Sequence, residues 1–373
     1  MRPRLVIAGF GDTGLLVAIH LSSHFDIVGI SSKPCLVSGQ ELGLRLTRPE
    51  QWKRDFLVKF TRYKKLARVR TLHGLIKHIN SSESTVTVEL ANGEQIQEDY
   101  DVLLIAAGVS NGFWRNNTLQ SLAQIEHGIE SHVQKLQQTD SLAVIGGGAT
   151  GVSAAVNFAR QYPDKKIDLF YSQNEPLPGY HPRARSQLLK KLKALRVILH
   201  PNHRAILPAG FDTTQLTSTQ VQWSTGQAAF QAGLTLWAIG NLKPNNNFIP
   251  QAMLDDGGFV KTDPHLRVPG FDNVFAVGDI AATDVNRSSA RNGGFVLVAE
   301  NIRAYIEGRE QDMKTYRASN YRWGSIFGTQ PDGLTVFSPQ GKGFRMPLWV
   351  VNKVLFPWIV RKQIYKGLYP PAQ

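Results

Sequence analysis

Apolar residues in this chain fall in short unbroken runs, and most of the runs stop at glycine. The first, Leu5-Val-Ile-Ala8, breaks into Gly9-Phe-Gly11-Asp-Thr-Gly14. A helical pattern, Leu15-Leu-Val-Ala-Ile19, and a second run, Asp26-Ile-Val-Gly-Ile30, follow. An unbroken run of this length reads as a strand covered on both faces, so the pattern predicts strand, tight turn, helix and strand. The same order returns later. Ser141-Leu-Ala-Val-Ile145 leads into Gly146-Gly-Gly148-Ala-Thr-Gly151 and then Val152-Ser-Ala-Ala-Val156, whose small residues suit close packing of helix on sheet.

Between the two glycine clusters, Thr85-Val-Thr-Val-Glu-Leu90 alternates and ends at Asn92-Gly93, the signature of a hairpin. Tyr100-Asp-Val-Leu-Leu-Ile-Ala-Ala-Gly108 then predicts a buried strand closing on a tight turn. The second half repeats this plan with Val221-Gln-Trp-Ser-Thr-Gly226 and Leu234-Thr-Leu-Trp-Ala-Ile-Gly240, followed by Pro244. Two halves that each run from a glycine turn to a buried strand ending in small residues are a duplication of architecture, not a solenoid. A last run, Val274-Phe-Ala-Val-Gly278-Asp279, predicts a strand that opens a helix with Ala281 and Ala282 in its first turn.

The spacing G-x-G-x-x-G between strand and helix has a mechanical meaning. Gly9 makes the turn, Gly11 lets the backbone approach a pyrophosphate, and Gly14 lets helix pack on strand; Gly146, Gly148 and Gly151 repeat the roles. One such motif is a weak sign of a dinucleotide site, whereas two in one chain make a coincidence of glycine turns improbable.

Here the sequence resembles the two-dinucleotide-binding-domain flavoproteins, the pyridine nucleotide-disulfide oxidoreductase-like superfamily. It is most like type II NADH dehydrogenases and apoptosis-inducing-factor-like oxidoreductases. The resemblance rests on Gly9 to Gly14, Ala106-Ala107-Gly108, Gly146 to Gly151, Trp237-Ala-Ile-Gly240 with Pro244-Asn245, and Val274 to Asp279, and spans about residues 4 to 308. It implies an α/β protein of two Rossmann-like domains. A discontinuous FAD domain (1–116 and 256–310) would receive an inserted NAD(P)H domain (138–255), with a short C-terminal helical extension (311–373). FAD contacts would come from Gly9, Gly11, Gly14, Ala107, Gly108, Gly278 and Asp279. NAD(P)H contacts would come from Gly146, Gly148, Gly151, Tyr171, Ser172, Arg183 and Gly240. The resemblance gives Asp279 the ribityl chain, and the helix it opens would aim its positive end at the pyrimidine edge of the flavin. No protein nucleophile is needed, because the cofactors carry the bond changes.

Three departures bear on this reading. Ser31 and Ser32 stand where an acidic residue would bind the FAD ribose. Tyr171 and Ser172 stand where an NAD-preferring site would place Glu, with His181, Arg183 and Arg185 beyond them, so NADPH is permitted. Arg291-Asn292-Gly293-Gly294 replaces the paired glutamine of type II dehydrogenases, which leaves the quinone acceptor open.

Composition narrows the class. Of 373 residues 42% are hydrophobic and 19% charged, which suits a soluble globular protein of two or three domains, and no apolar run reaches the roughly 20 residues of a spanning helix. The single cysteine, Cys35, rules out an internal disulfide or a Cys-X-X-Cys pair, favours a reducing, cytoplasmic setting, and reads as a buried inert thiol. His73, His78, His127 and His132 lack ligand spacing, so no metal site is expected.

The net charge of +13 first suggests a polyanionic partner. Residues 311–373 hold nine basic and two acidic residues, +7 of that total. Interleaved are Trp349, Phe356, Trp358, Tyr365 and Tyr369. Pro347 would start a helix and Pro357 interrupt it, giving two short helices. Aromatics beside Lys and Arg suit a lipid headgroup layer, so peripheral contact at the inner face of the membrane is expected through 347–369; packing of the same residues on the FAD domain is the alternative. No helix-turn-helix or ribonucleoprotein motif supports nucleic acid. The expected activity is FAD-dependent NAD(P)H oxidation with electrons passed to a quinone. The alternatives are reduction of a small carrier protein, of rubredoxin or ferredoxin type, or a flavin-based redox sensor.

Overall fold

The computed structural model describes residues 2–207, 215–239, 242–287 and 289–370, with the side chains of residues 291 and 292 left aside. Arg4–Ala8 lies inside a seven-stranded sheet whose spatial order is Val274–Ala276, Val102–Ile105, Arg4–Ala8, Asp26–Ser31, Arg70–Asn80, Thr85–Leu90 and Gln95–Asp99. The first five are parallel, and the last three form an antiparallel meander. Leu5 and Ile7 pack with helices Asp12–Leu21 and Phe295–Ile306 on one face, while Val6 and Ala8 meet Val28, Leu103 and Val274 on the other. Cover on both faces is why these runs are unbroken and do not alternate.

A second sheet, entirely parallel, has the order Ile198–His200, Lys166–Phe170, Ser141–Ile145 and Leu234–Trp237. Helix Ala149–Gln161 covers it with Val152, Val156 and Phe158. In both sheets the first strand of the unit sits inside, and the chain leaves it in both directions. The carboxyl ends of these inner strands are the topological switch points where open α/β sheets bind ligands. The two halves are joined by an antiparallel pairing of Val109–Ser110 with Lys243–Pro244, and Asn245 donates to the Ala107 carbonyl at 2.8 Å. The strand drawn from 274–276 joins the first sheet, although 141–237 lies between them in sequence.

The structure corrects two expectations. Gly278-Asp279 does not open a helix. The Ala281 N–H returns to the Gly278 carbonyl (3.1 Å), the Ala282 N–H bonds to Val260 (2.8 Å), and the regular helix Phe295–Ile306 starts well downstream. The amide groups that would have begun a helix are used in this turn and bridge. The extension is also not two short helices. It contains the hairpin Leu334–Phe337 and Gly343–Met346, and one helical run, Leu348–Val350 and then Val351–Ile364, passes through Pro357. Its turns are wide, with the Tyr365 N–H on the Val360 carbonyl (2.9 Å), and a wide turn moves the carbonyl that a proline ring would otherwise strike.

This C-terminal segment grips both halves. Asp332 pairs with Arg160 (3.0 Å) and Lys191 (3.0 Å) of the second half. Arg361 pairs with the buried Asp55 carboxylate (2.9 Å) of the first, and Tyr365 meets Tyr63 edge to face at 5.2 Å. The same helix leaves Trp349 and Trp358 64% and 55% exposed.

Candidate functional site: a cleft through both glycine turns

The two glycine turns have the same construction. At Gly9, φ is +108°, and an added Cβ would lie 2.5 Å from the Ala107 Cα; at Gly146, φ is +130°, and it would lie 2.2 Å from the Ala238 carbonyl oxygen. Both turns therefore need glycine twice over, for the dihedral and for the close approach of the neighbouring strand. Gly14 and Gly151 press on the carbonyls of Gly9 and Gly146, where a Cβ would sit at 2.2 and 2.0 Å. Gly11 and Gly148 differ: a Cβ on either would meet nothing within 4 Å. They stand at the first turn of their helices, with backbone facing open space that suits a pyrophosphate. The Ala106 N–H bonds to the Ala8 carbonyl and the Ala238 N–H to the Ile145 carbonyl, both at 2.8 Å.

One cavity of about 1840 Å³ contains both turns. That exceeds the roughly 300–1,000 Å³ of an ordinary ligand pocket and suits two extended dinucleotides. Its lining includes Gly9, Gly11, Ala107, Gly108 and Asp279 from the first half and Gly146, Gly148, Tyr171 and Ser172 from the second. Tyr171 is buried, which pushes its hydroxyl pKa up, and it packs against Gly147. Asp279 accepts a hydrogen bond from Arg115 at 2.5 Å. Gly278, at φ +88°, abuts Thr13 and donates its N–H to Ser289 Oγ at 3.0 Å. The downstream helix thus approaches the Gly278 turn through Ser289.

Several lining residues were not foreseen from the sequence. Lys33 follows Ser31 and Ser32, donates to Asn116 at 2.9 Å, and has its pKa lowered to about 8 by burial and by the charge of Arg45. The buried Arg45 lies 4.9 Å over the Trp52 ring and donates to the Trp114 carbonyl at 3.3 Å; burial lowers its pKa to about 10. The buried Ser153 hydroxyl lines the cleft with no hydrogen bond among the described residues. Only Lys33 carried a local signal, being the first charged residue after the second strand.

Not every expected contact reaches the cleft. Arg183 is exposed on helix Pro182–Ala194 and is not among the lining residues. Its backbone N–H takes the His181 ring nitrogen as a cap at 3.2 Å. Arg185 pairs with Glu175 at 3.3 Å. Gly240 lies outside the described residues. Cys35 is buried beside the cleft, and burial raises its thiol pKa to about 11.

Two dinucleotide folds facing one cleft are the arrangement of a two-cofactor oxidoreductase. Residues 3–303 match the family described as pyridine nucleotide-disulphide oxidoreductase, and the chain belongs to that family. FAD and NAD(P)H are the family's cofactors, and the glycine turns fit both. The chain is 24% identical to apoptosis-inducing factor homolog B of Dictyostelium discoideum, over 91% of this chain and 90% of that protein. It is 25% identical to ferroptosis suppressor protein 1 of Xenopus tropicalis, over 84% and 83%. Among solved structures, the water-forming NADH oxidase from Lactobacillus brevis bound to NADH aligns with a TM-score of 0.64 and 16% identity, over 90% of this chain and 74% of that one. NDH2 from Plasmodium falciparum in complex with NADH aligns at 0.58 and 15%, over 86% and 80%. No helix among the described residues is long and apolar enough to cross a membrane.

Proposed function

We propose that this protein is an FAD-dependent NAD(P)H dehydrogenase that delivers electrons to a quinone at a lipid surface. The observation that carries the reading is continuity: one cleft includes Gly11, Gly148 and, from the C-terminal helix, Leu355 and Ile364. FAD, when bound, supplies the two-electron acceptor that takes hydride from a nicotinamide and releases electrons to the quinone. The protein's part is to hold and orient. Gly11 and Gly148 would receive the two pyrophosphates, and Asp279, its carboxylate fixed by Arg115, would accept from the ribityl chain. Leu16, Phe295, Leu355 and Ile364 give the cleft an apolar border suited to a quinone ring. On the same segment, exposed Trp349 and Trp358 stand among Lys353, Lys362 and Lys366, a combination suited to anionic headgroups.

The test is steady-state oxidation of NADH and NADPH with a ubiquinone analogue, with and without anionic vesicles. The expected result is bleaching of bound FAD by nicotinamide and quinone reduction that vesicles accelerate. FAD that nicotinamide cannot bleach would sink the reading. A Trp349→Ser/Trp358→Ser variant should keep its melting temperature and lose vesicle binding. If it keeps vesicle binding, the lipid surface is wrong. If wild-type protein instead reduces an acidic carrier protein and ignores quinone, the basic tail serves that carrier.

A further inference from the structure

The second half of the cleft carries no carboxylate at the position that decides between the two nicotinamide dinucleotides. In a Rossmann site the residue closing the second strand binds the adenosine ribose: an acid there selects the 2′-hydroxyl, and a nearby arginine accepts a 2′-phosphate. Here strand Lys166–Phe170 is followed by Tyr171, Ser172 and Gln173. The nearest acid of the same loop, Glu175, is engaged by Arg185 at 3.3 Å.

A second segment runs beside this strand end. Beyond the pairing of Phe170 with His200, the Tyr171 N–H bonds to His200 (3.1 Å), the His203 N–H to Tyr171 (2.9 Å) and the Asn202 N–H to Gln173 (3.1 Å). Residues 200–205 are thereby laid alongside 171–173, at the carboxyl edge of the parallel sheet. Arg204 is fixed through its backbone: its N–H takes Thr225 Oγ1 at 3.1 Å, and its carbonyl accepts the Ser224 N–H at 2.8 Å. Its exposed side chain lines the cleft together with Ser172 and His203. His203 is held edge-on against Trp223 at 4.9 Å.

We infer that Arg204, with the Ser172 hydroxyl, forms a subsite for a 2′-phosphate, so that this protein selects NADPH over NADH. The inference rests on the reading of the second half as the nicotinamide site. It assigns the selection to the loop after the third strand of that sheet, where Arg183 and Arg185 have no part. A guanidinium facing a phosphate dianion makes charge-assisted, bidentate hydrogen bonds that a ribose hydroxyl cannot replace.

Two probes separate this inference from the reading beneath it: adenosine 2′,5′-bisphosphate and adenosine 5′-monophosphate, which differ only in the 2′-phosphate. Their dissociation constants would be measured calorimetrically on the FAD-loaded protein. Wild type should bind the bisphosphate at least about 10-fold more tightly. Arg204→Ala should remove that preference, Arg204→Lys should keep part of it, and Arg183→Ala should leave it whole, with melting temperature and flavin content unchanged throughout. Equal binding in wild type, a preference that survives Arg204→Ala, or one lost in Arg183→Ala overturns the assignment while the dinucleotide site stands. If neither probe binds, the nicotinamide site and this inference fall together.

Discussion

Arg115 donates a 2.5 Å hydrogen bond to the Asp279 carboxylate across 164 positions of sequence, and the pair sits inside the cleft that holds both glycine turns. The arginine lies downstream of strand Val102–Ile105 and the aspartate just beyond the neighbouring strand Val274–Ala276, so adjacency in the sheet brings the two segments together. Both side chains are partly exposed, at 34% and 20%, which limits the pair itself to about 1 kcal/mol. In the function proposed above its importance lies in aim: the guanidinium fixes the carboxylate that would accept from a ribityl chain.

Asp279→Asn and Arg115→Met should each weaken FAD binding, and the double variant should be no weaker than the worse single one, because both remove one interaction. Fluorescence titration of the apoprotein with FAD reads this directly. Additive losses would mean that the two side chains contact the cofactor independently.

The glycines of one turn should separate folding from binding. Gly14→Ala places a Cβ 2.2 Å from the Gly9 carbonyl and should cost at least about 2 kcal/mol of stability, seen in urea unfolding. Gly11→Val points into open space with φ at −89°, so the fold should survive while FAD affinity falls by roughly two orders of magnitude. Gly148→Val should spare FAD and block its bleaching by NAD(P)H.

Acid should destabilise the protein through His132. Its ring stacks on Phe113 at 3.9 Å, and burial, then the charge of Arg45, lowers its pKa from 6.5 to about 4. The unfolded chain takes up this proton first, so the contribution is complete above pH 6.5 and drains away as pH falls towards 4. Up to roughly 3 kcal/mol is at stake. The melting temperature of His132→Leu should be flatter than wild type across that window, and parallel curves would refute the assignment.

Tyr365 should act as the latch of the C-terminal helix. It packs on the fully buried Tyr63, and its hydroxyl pKa is pushed up by burial and by Asp12 of the first glycine turn. Tyr365→Ala should expose residues 347–370 to limited proteolysis at lower protease concentration and speed FAD release, because Ile364 beside it lines the cleft. Proteolysis unchanged from wild type would show that the Arg361–Asp55 pair and Phe356, edge to face with Phe56 at 6.4 Å, suffice.

Much of the site was legible in the sequence because its parts are local. The demands of a strand–glycine–helix turn are met within six consecutive residues, and Gly9, Gly11 and Gly14 each show the environment that their spacing implies. Lys33 is legible in principle, as the first charge after a strand that ends without an acid at Ser31 and Ser32. The strand before Gly278-Asp279 is legible locally, but the pairing of Ala282 with Val260, which stops a helix there, is not.

By itself the sequence determined two sets of buried parallel strands, each with a phosphate-shaped turn, since hydrophobic period and glycine spacing act over a few residues and need no partner. Only the tertiary structure decided which side chains meet: Asp279 with Arg115, the 200–205 segment alongside 171–173, and the basic aromatic tail gripping Asp55 and Tyr63 while leaving Trp349 and Trp358 outside. Side-chain pairing across a sheet edge depends on strand order, and strand order is set by the burial of whole layers, which no local pattern records.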